Sequence, residues 1–238
     1  MKKGIIITLL CSSVLCATIF YFITRDPRTL ADITYLQEAT STICTNTTTN
    51  ITYSLIDKRD QKIYTVAKLN DGRCWFTQDL NLTLSPEIIL TNQDTDLNTT
   101  IAWTPSATSE TYYDFATATA SNTDSFTKQY TNAPNSICPK GWRLPKVYDG
   151  WKYNCPNEFE QMLLKQGMIN TNLTWINDGF NKVQQPPLNF TVDTESAHYW
   201  TSTIYNTTHA YHLDFNANYI SPGSNNRSLK FLVRCLIR

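Results

Sequence analysis

Charge is what this chain has least of. Only 17% of its 238 residues are Asp, Glu, Lys or Arg, and 20 basic side chains cancel 20 acidic ones. No basic patch or stripe stands out, so a phosphate backbone would find no counter-charge and no nucleic-acid partner is expected. Catalytic signatures are missing too: there is no Gly-x-Ser-x-Gly elbow, no His-Glu-x-x-His helix and no glycine-rich phosphate loop. Seven cysteines include no Cys-x-x-Cys pair and no His-bearing zinc spacing, so the sequence assigns no metal and no cofactor. The histidines are His198, His209 and His212. On a strand His209 and His212 point to opposite faces, whereas His212 and Asp214 share one, which reads as a surface His-Asp pair rather than a ligand cluster.

In place of charge the chain carries Thr, Asn and aromatics, with 13 Tyr and 6 Trp. Such a surface binds through hydrogen bonds and ring platforms. At the N-terminus Lys2 and Lys3 precede the uncharged run from Gly4 to Thr24, long enough to span a hydrocarbon core about 30 Å thick. The expectation is a signal anchor over 1–25 with the N-terminus in the cytoplasm and the body outside. A cleaved signal peptide is the rival, and it would leave the same body secreted. The densest set of backbone constraints lies in Ser136-Ile137-Cys138-Pro139-Lys140-Gly141-Trp142-Arg143-Leu144-Pro145. Pro139 and Pro145 force extended conformations before them, Gly141 permits a turn, and Trp142 and Leu144 offer large apolar surface.

That phrase also carries a resemblance. Together with Glu158-Phe159-Glu160-Gln161-Met162-Leu163-Leu164, then His198-Tyr199-Trp200-Thr201-Ser202-Thr203 and Val233-Arg234-Cys235, it resembles the Fibrobacter succinogenes major paralogous domain family, in the version of Saccharibacteria-type envelope proteins. Upstream, Asp57 to Val66 and Asp71 to Leu80 are similar to the family's opening phrase, with departures at Gln61, Phe76 and Asp79. The resemblance spans residues 43–238 and implies an α+β fold of C-type lectin-like type, with short antiparallel strands, one main helix and long loops. The family has no established activity. Formylglycine-generating enzymes, thought to share that architecture, use site cysteines that have no matching pair here. The Trp-Asn-Asp calcium phrase of sugar-binding C-type lectins is not matched by Trp175-Ile176-Asn177-Asp178, so calcium is left unassigned. Eight Asn-x-Ser/Thr sites, at Asn46, Asn50, Asn81, Asn98, Asn172, Asn189, Asn206 and Asn226, read as a by-product of Thr and Asn abundance in a bacterial protein.

Along the chain, residues 26–42 read as a juxtamembrane helix or linker, with Asp26 as N-cap, Pro27 in its first turn, and Leu30, Ile33, Leu36 and Ala39 on one face. Thr40 to Thr52 reads as a loop around Cys44, and Lys62 to Phe76 as a hairpin turning at Asn70-Asp71-Gly72. Residues 85–135 form an irregular insert in which Trp103, Tyr112 and Tyr113 are either a carbohydrate platform or staples to the core. A helix opens near Pro156 and closes at Gly167, residues 168–197 read as loop, and strands follow over His198 to Thr203, His209 to Phe215 and Leu229 to Ile237. Cys11 and Cys16 lie in the expected anchor; of the five cysteines outside it, Cys44 is paired with Cys74 and Cys138 with Cys235, which leaves Cys155 over, and other pairings stay open.

Between Trp200 and Leu229 the density of Tyr, Asn, His and Ser suits recognition loops, as it equally suits ordinary hairpin turns. In lectin-like folds such late loops form the ligand face. The residues expected to cluster on one exposed surface are Tyr205, His209, Tyr211, Asn218, Tyr219, Asn225 and Arg227. The expected function is a membrane-anchored, extracytoplasmic binding or adhesion module for a glycan or protein ligand. The alternatives are an enzyme acting on envelope polymers and a purely structural envelope protein.

Overall fold

The computed structural model describes residues 26–83, 90–97, 112–121, 129–147, 157–191 and 196–238, and they form a mixed α+β fold made mostly of sheet. The expected membrane helix, Trp103 and Cys155 lie outside the described residues. Among the described residues no helix is long and apolar enough to cross a membrane.

Two five-stranded sheets carry the molecule. The first runs β1 (Thr52–Ile56), β2 (Ile63–Lys68), β3 (Cys74–Phe76), β10 (Leu236–Ile237), β5 (Trp142–Arg143), with every neighbour antiparallel. The second runs β4 (Tyr112–Tyr113), β9 (Phe231–Leu232), β6 (Ser196–Ile204), β7 (His209–Asn216), β8 (Ile220–Asn226), with β9 parallel to β6. The β2–β3 hairpin forms where its turn residues predict: Gly72 takes φ 82° and its N–H donates to the Leu69 carbonyl at 2.9 Å. Strand β3 is buried along its whole length, because Cys74 and Phe76 face one apolar cluster and Trp75 faces another.

The family-like phrases meet in these two clusters. Trp142, Leu144, Trp200 and Val233 belong to the first, and Trp75, Phe159 and Leu163 to the second. All seven are essentially buried, as their apolar bulk predicts. Each indole keeps a hydrogen bond: Trp142 Nε1 donates to the Leu36 carbonyl at 2.8 Å, Trp200 Nε1 to the Tyr113 carbonyl at 2.7 Å and Trp75 Nε1 to Asp71 at 2.9 Å. Disulfides join Cys44 to Cys74 and Cys138 to Cys235, with Cα atoms 5.7 and 5.9 Å apart.

Several elements differ from their sequence reading. Residues 26–42 hold two 3₁₀ turns, Leu30–Asp32 and Leu36–Glu38, in place of one helix. A strict three-residue apolar spacing matches the 3.0-residue period of such turns, and Leu30, Ile33, Leu36 and Ala39 all enter the first cluster. The expected loop at Thr40 to Thr52 contains a helix, α1 (Ser41–Asn46), which Thr40 caps by accepting from the Ile43 N–H at 3.2 Å. Within the expected insert, Leu90, Tyr113, Phe115 and Ala118 pack into the first cluster, the last two in a short helix α2 (Phe115–Ala118).

The main helix, α3 (Glu158–Lys165), starts at Asn157 through a reciprocal cap with Glu160, and Gly167 follows its end at φ 68°. A one-turn helix, α4 (Gly179–Lys182), interrupts the expected loop over 168–197. The expected strand Leu229 to Ile237 is split into β9 and β10, because the chain there crosses from the second sheet to the first. It is buried from Phe231 to Ile237 instead of alternating.

Candidate functional site: a tyrosine cluster beside a polar cleft

The β6–β7 hairpin ends in a turn built by Asn206. Its Oδ1 accepts the Thr208 and His209 N–H groups, both at 2.8 Å, so the side chain replaces the backbone partner that the turn lacks. Behind the turn lies Arg227, which is only 6% exposed. Its guanidinium donates to the carbonyls of Asn206 and His209 and lies 5.5 Å from the Phe115 ring. Arg227 is therefore a brace for the turn and not the exposed contact the sequence suggests.

Three tyrosines gather in front of this brace. Tyr205 and Tyr211 lie 5.3 Å apart edge to face, and Tyr130 stands 6.3 and 6.4 Å from them. His209 adds a fourth ring 6.5 Å from Tyr205, and all four are half-buried. The alternation of β7 places His209 and Tyr211 on the face that further along carries Leu213 and Phe215 into the second cluster. The rings thus continue the core face beyond the end of the core.

Tyr130 arrives from a distant segment. Residues 130–133 pair with the end of β6 through Tyr130 N–H to the Ile204 carbonyl, Ile204 N–H to the Thr131 carbonyl and Ala133 N–H to the Ser202 carbonyl, each at 2.8 Å. Thr203 Oγ1 donates to Asn132 Oδ1 at 2.6 Å.

The same segment borders a cleft of about 430 Å³, lined among others by Asp96, Asn132, Arg143, Lys146, Ser202 and Arg238. Of its cations, Arg143 and Arg238 are held in ion pairs. Arg238 Nε donates to Asp96 at 2.6 Å, and Arg143 grips Glu158 with two nitrogens at 2.6 and 2.7 Å. Burial pushes the Asp96 carboxyl up, against Arg238. It also pushes Glu158 up, but the hydrogen bonds and charge of Arg143 outweigh it and hold that carboxyl below its ordinary value. The cleft offers both donors and acceptors.

The seven expected ligand residues do not share one surface. Tyr205, His209 and Tyr211 come together. Asn225, opposite Ala210, projects from the other face of the sheet. Asn218 and Tyr219 occupy the β7–β8 turn at the far end of the hairpin, where Tyr219 is 47% exposed. The stretch Ser221 to Asn226, rich in turn formers, is the edge strand β8, held by its register with β7. Tyr130 is the member that sequence reasoning missed, since only its long-range pairing brings it here.

A second constellation lies on the other face of the second sheet. One ligand atom each from His198, His212 and Asp214 lies within 4.8 Å of the others. Sequence spacing gave His212 and Asp214 a common face, and the β6–β7 register adds His198 directly opposite Asp214.

No protein-family model, curated protein or solved structure matches this chain.

Proposed function

We propose that this chain is an extracytoplasmic surface-binding module of C-type lectin-like architecture, related to the Fibrobacter major paralogous family and held at the envelope by residues 1–25. Its ligand is a glycan or a protein surface rich in hydroxyl and amide groups. The observation that carries the reading is the pairing of Tyr130, Tyr205 and Tyr211 with a polar cleft in which Arg143 and Arg238 are already held in ion pairs. Aromatic faces stack on the apolar faces of sugar rings, and the donors and acceptors of the cleft can meet hydroxyl groups. Two disulfides are in keeping with an oxidising compartment outside the cytoplasm.

The test is a glycan array probed with the full chain in mild detergent, beside the Tyr205→Ala/Tyr211→Ala double variant. The expected result is retention on a defined group of neutral oligosaccharides by the native chain and its loss in the variant at an unchanged melting temperature. Uniform absence of glycan binding by the native chain, or equal binding by both, would contradict the glycan reading.

A further inference from the structure

His198, His212 and Asp214 lie on the face of β6 and β7 opposite to Tyr211, so they belong to a different site from the tyrosine cluster. Oδ1 of Asp214 stands 2.8 Å from Nε2 of His212 and is hydrogen-bonded to Nδ1 of His198. The His212 ring is 1% exposed, with Phe231 4.9 Å and Trp200 6.1 Å away. The side chains of His198 and Asp214 are 41% and 29% exposed, so the cluster has one buried wall and one side open to solvent.

We propose that His198 Nδ1, His212 Nε2 and the Asp214 carboxylate form a binding site for one divalent cation of the zinc and copper class. Two imidazoles with one carboxylate are the donor set those ions take, whereas calcium requires six or more oxygens. A tetrahedral zinc ion with bonds of about 2.0–2.2 Å spaces its donors roughly 3.3 Å apart. The His212–Asp214 pair, now at 2.8 Å, reaches that spacing by a small side-chain rotation.

Two further observations point to a ligand here. Gly223 on β8 lies opposite His212, and a Cβ in its place would stand 2.7 Å from Cε1 and 2.8 Å from Nε2 of that ring, and 3.0 Å from Asp214 Oδ2. A glycine inside a strand weakens it, and this one keeps the space beside the donors clear. Next, the Asn225 amide lies 3.5 Å from His212 Nε2. A flip of that amide, whose two ends have nearly the same shape, turns a carbonyl oxygen toward the site as a fourth donor.

The experiment uses the full chain, stripped with chelator and titrated calorimetrically with zinc chloride. One ion per chain is expected, with affinity falling by about tenfold or more in His198→Ala and in Asp214→Asn. His198 is the safer variant because its ring is substantially exposed, and a thermal melt verifies that it folds. A second readout loads copper(II) and counts coordinated nitrogens by electron paramagnetic resonance: two in the native chain, one in His198→Ala. No zinc bound by the native chain would overturn the proposal. So would binding whose affinity and nitrogen count are the same in the folded His198→Ala variant, since the ion would then be held elsewhere.

Discussion

Arg234 sits fully buried where the C-terminal segment leaves one sheet for the other. Its guanidinium pairs with Asp79, donates to the Phe76 and Asn189 carbonyls at 3.2 Å each, and lies 3.8 Å from the Phe190 ring. Removing one partner of a buried pair leaves the other uncompensated. Arg234→Ala is therefore expected to cost about 3–5 kcal/mol, read as a lowered denaturant midpoint. An effect below about 1 kcal/mol would show the pair to be dispensable.

Glu160 has the opposite character. Burial raises its carboxyl pKa against a single hydrogen bond from the Asn157 N–H. A raised folded-state pKa means a contribution that is complete below the unfolded value of about 4.3 and lost as pH rises through the folded one. Glu160→Gln keeps an acceptor for Asn157 and should flatten that loss. The variant is expected to match the native chain at pH 4 and exceed it in stability at pH 7, which melts at the two pH values will show. Asp214 runs the other way, since its pKa is depressed to about 2. Its contribution is present above about pH 4 and disappears as pH falls toward 2.

At the scale of elements, the turn in the central phrase depends on Gly141. Its φ is 85°, and a Cβ would come within 2.9 Å of the Ala39 carbonyl oxygen. That carbonyl belongs to backbone fixed beside Leu36, which accepts from Trp142, so it has little room to yield. Gly141→Ala is expected to lose at least about 1–2 kcal/mol from the left-handed conformation alone. An unchanged melting temperature would contradict it.

Elements set by local chemistry were legible in the sequence: the β2–β3 turn at Gly72, the helix α3 and its closing Gly167, the strands β6 and β7. Those set by long-range contacts were not. Ser221-Pro222-Gly223-Ser224 has the composition of a loop and is a strand, because β7 supplies its register and an edge position tolerates Pro222. The turns at Leu30–Asp32 and Leu36–Glu38 read as a helix because both conformations put every third residue on one side over a short span.

For the whole molecule, the C-terminal tail is the stitch. It contributes β9 to one sheet and β10 to the other, and Cys235 between them is bonded to Cys138, 97 residues earlier. A loop of that length is worth about 4–5 kcal/mol in the chain-entropy treatment. Cys138→Ser/Cys235→Ser should therefore unfold many degrees lower, whereas a drop of only a degree or two would mean that tail packing alone suffices.

The candidate site was half legible at this scale. Tyr205, His209 and Tyr211 could be named from one hairpin. Tyr130 joins them only through the pairing of residues 130–133 with β6, and His198 meets Asp214 only through the β6–β7 register.

Binding by the tyrosine cluster is tested most directly by calorimetric titration of the oligosaccharide best retained on the array into the native full chain and into Tyr130→Ala. Loss of a stacking ring worth about 1 kcal/mol or more predicts a Kd at least roughly fivefold weaker in the variant, with folding intact. An identical Kd in a folded Tyr130→Ala would contradict the claim.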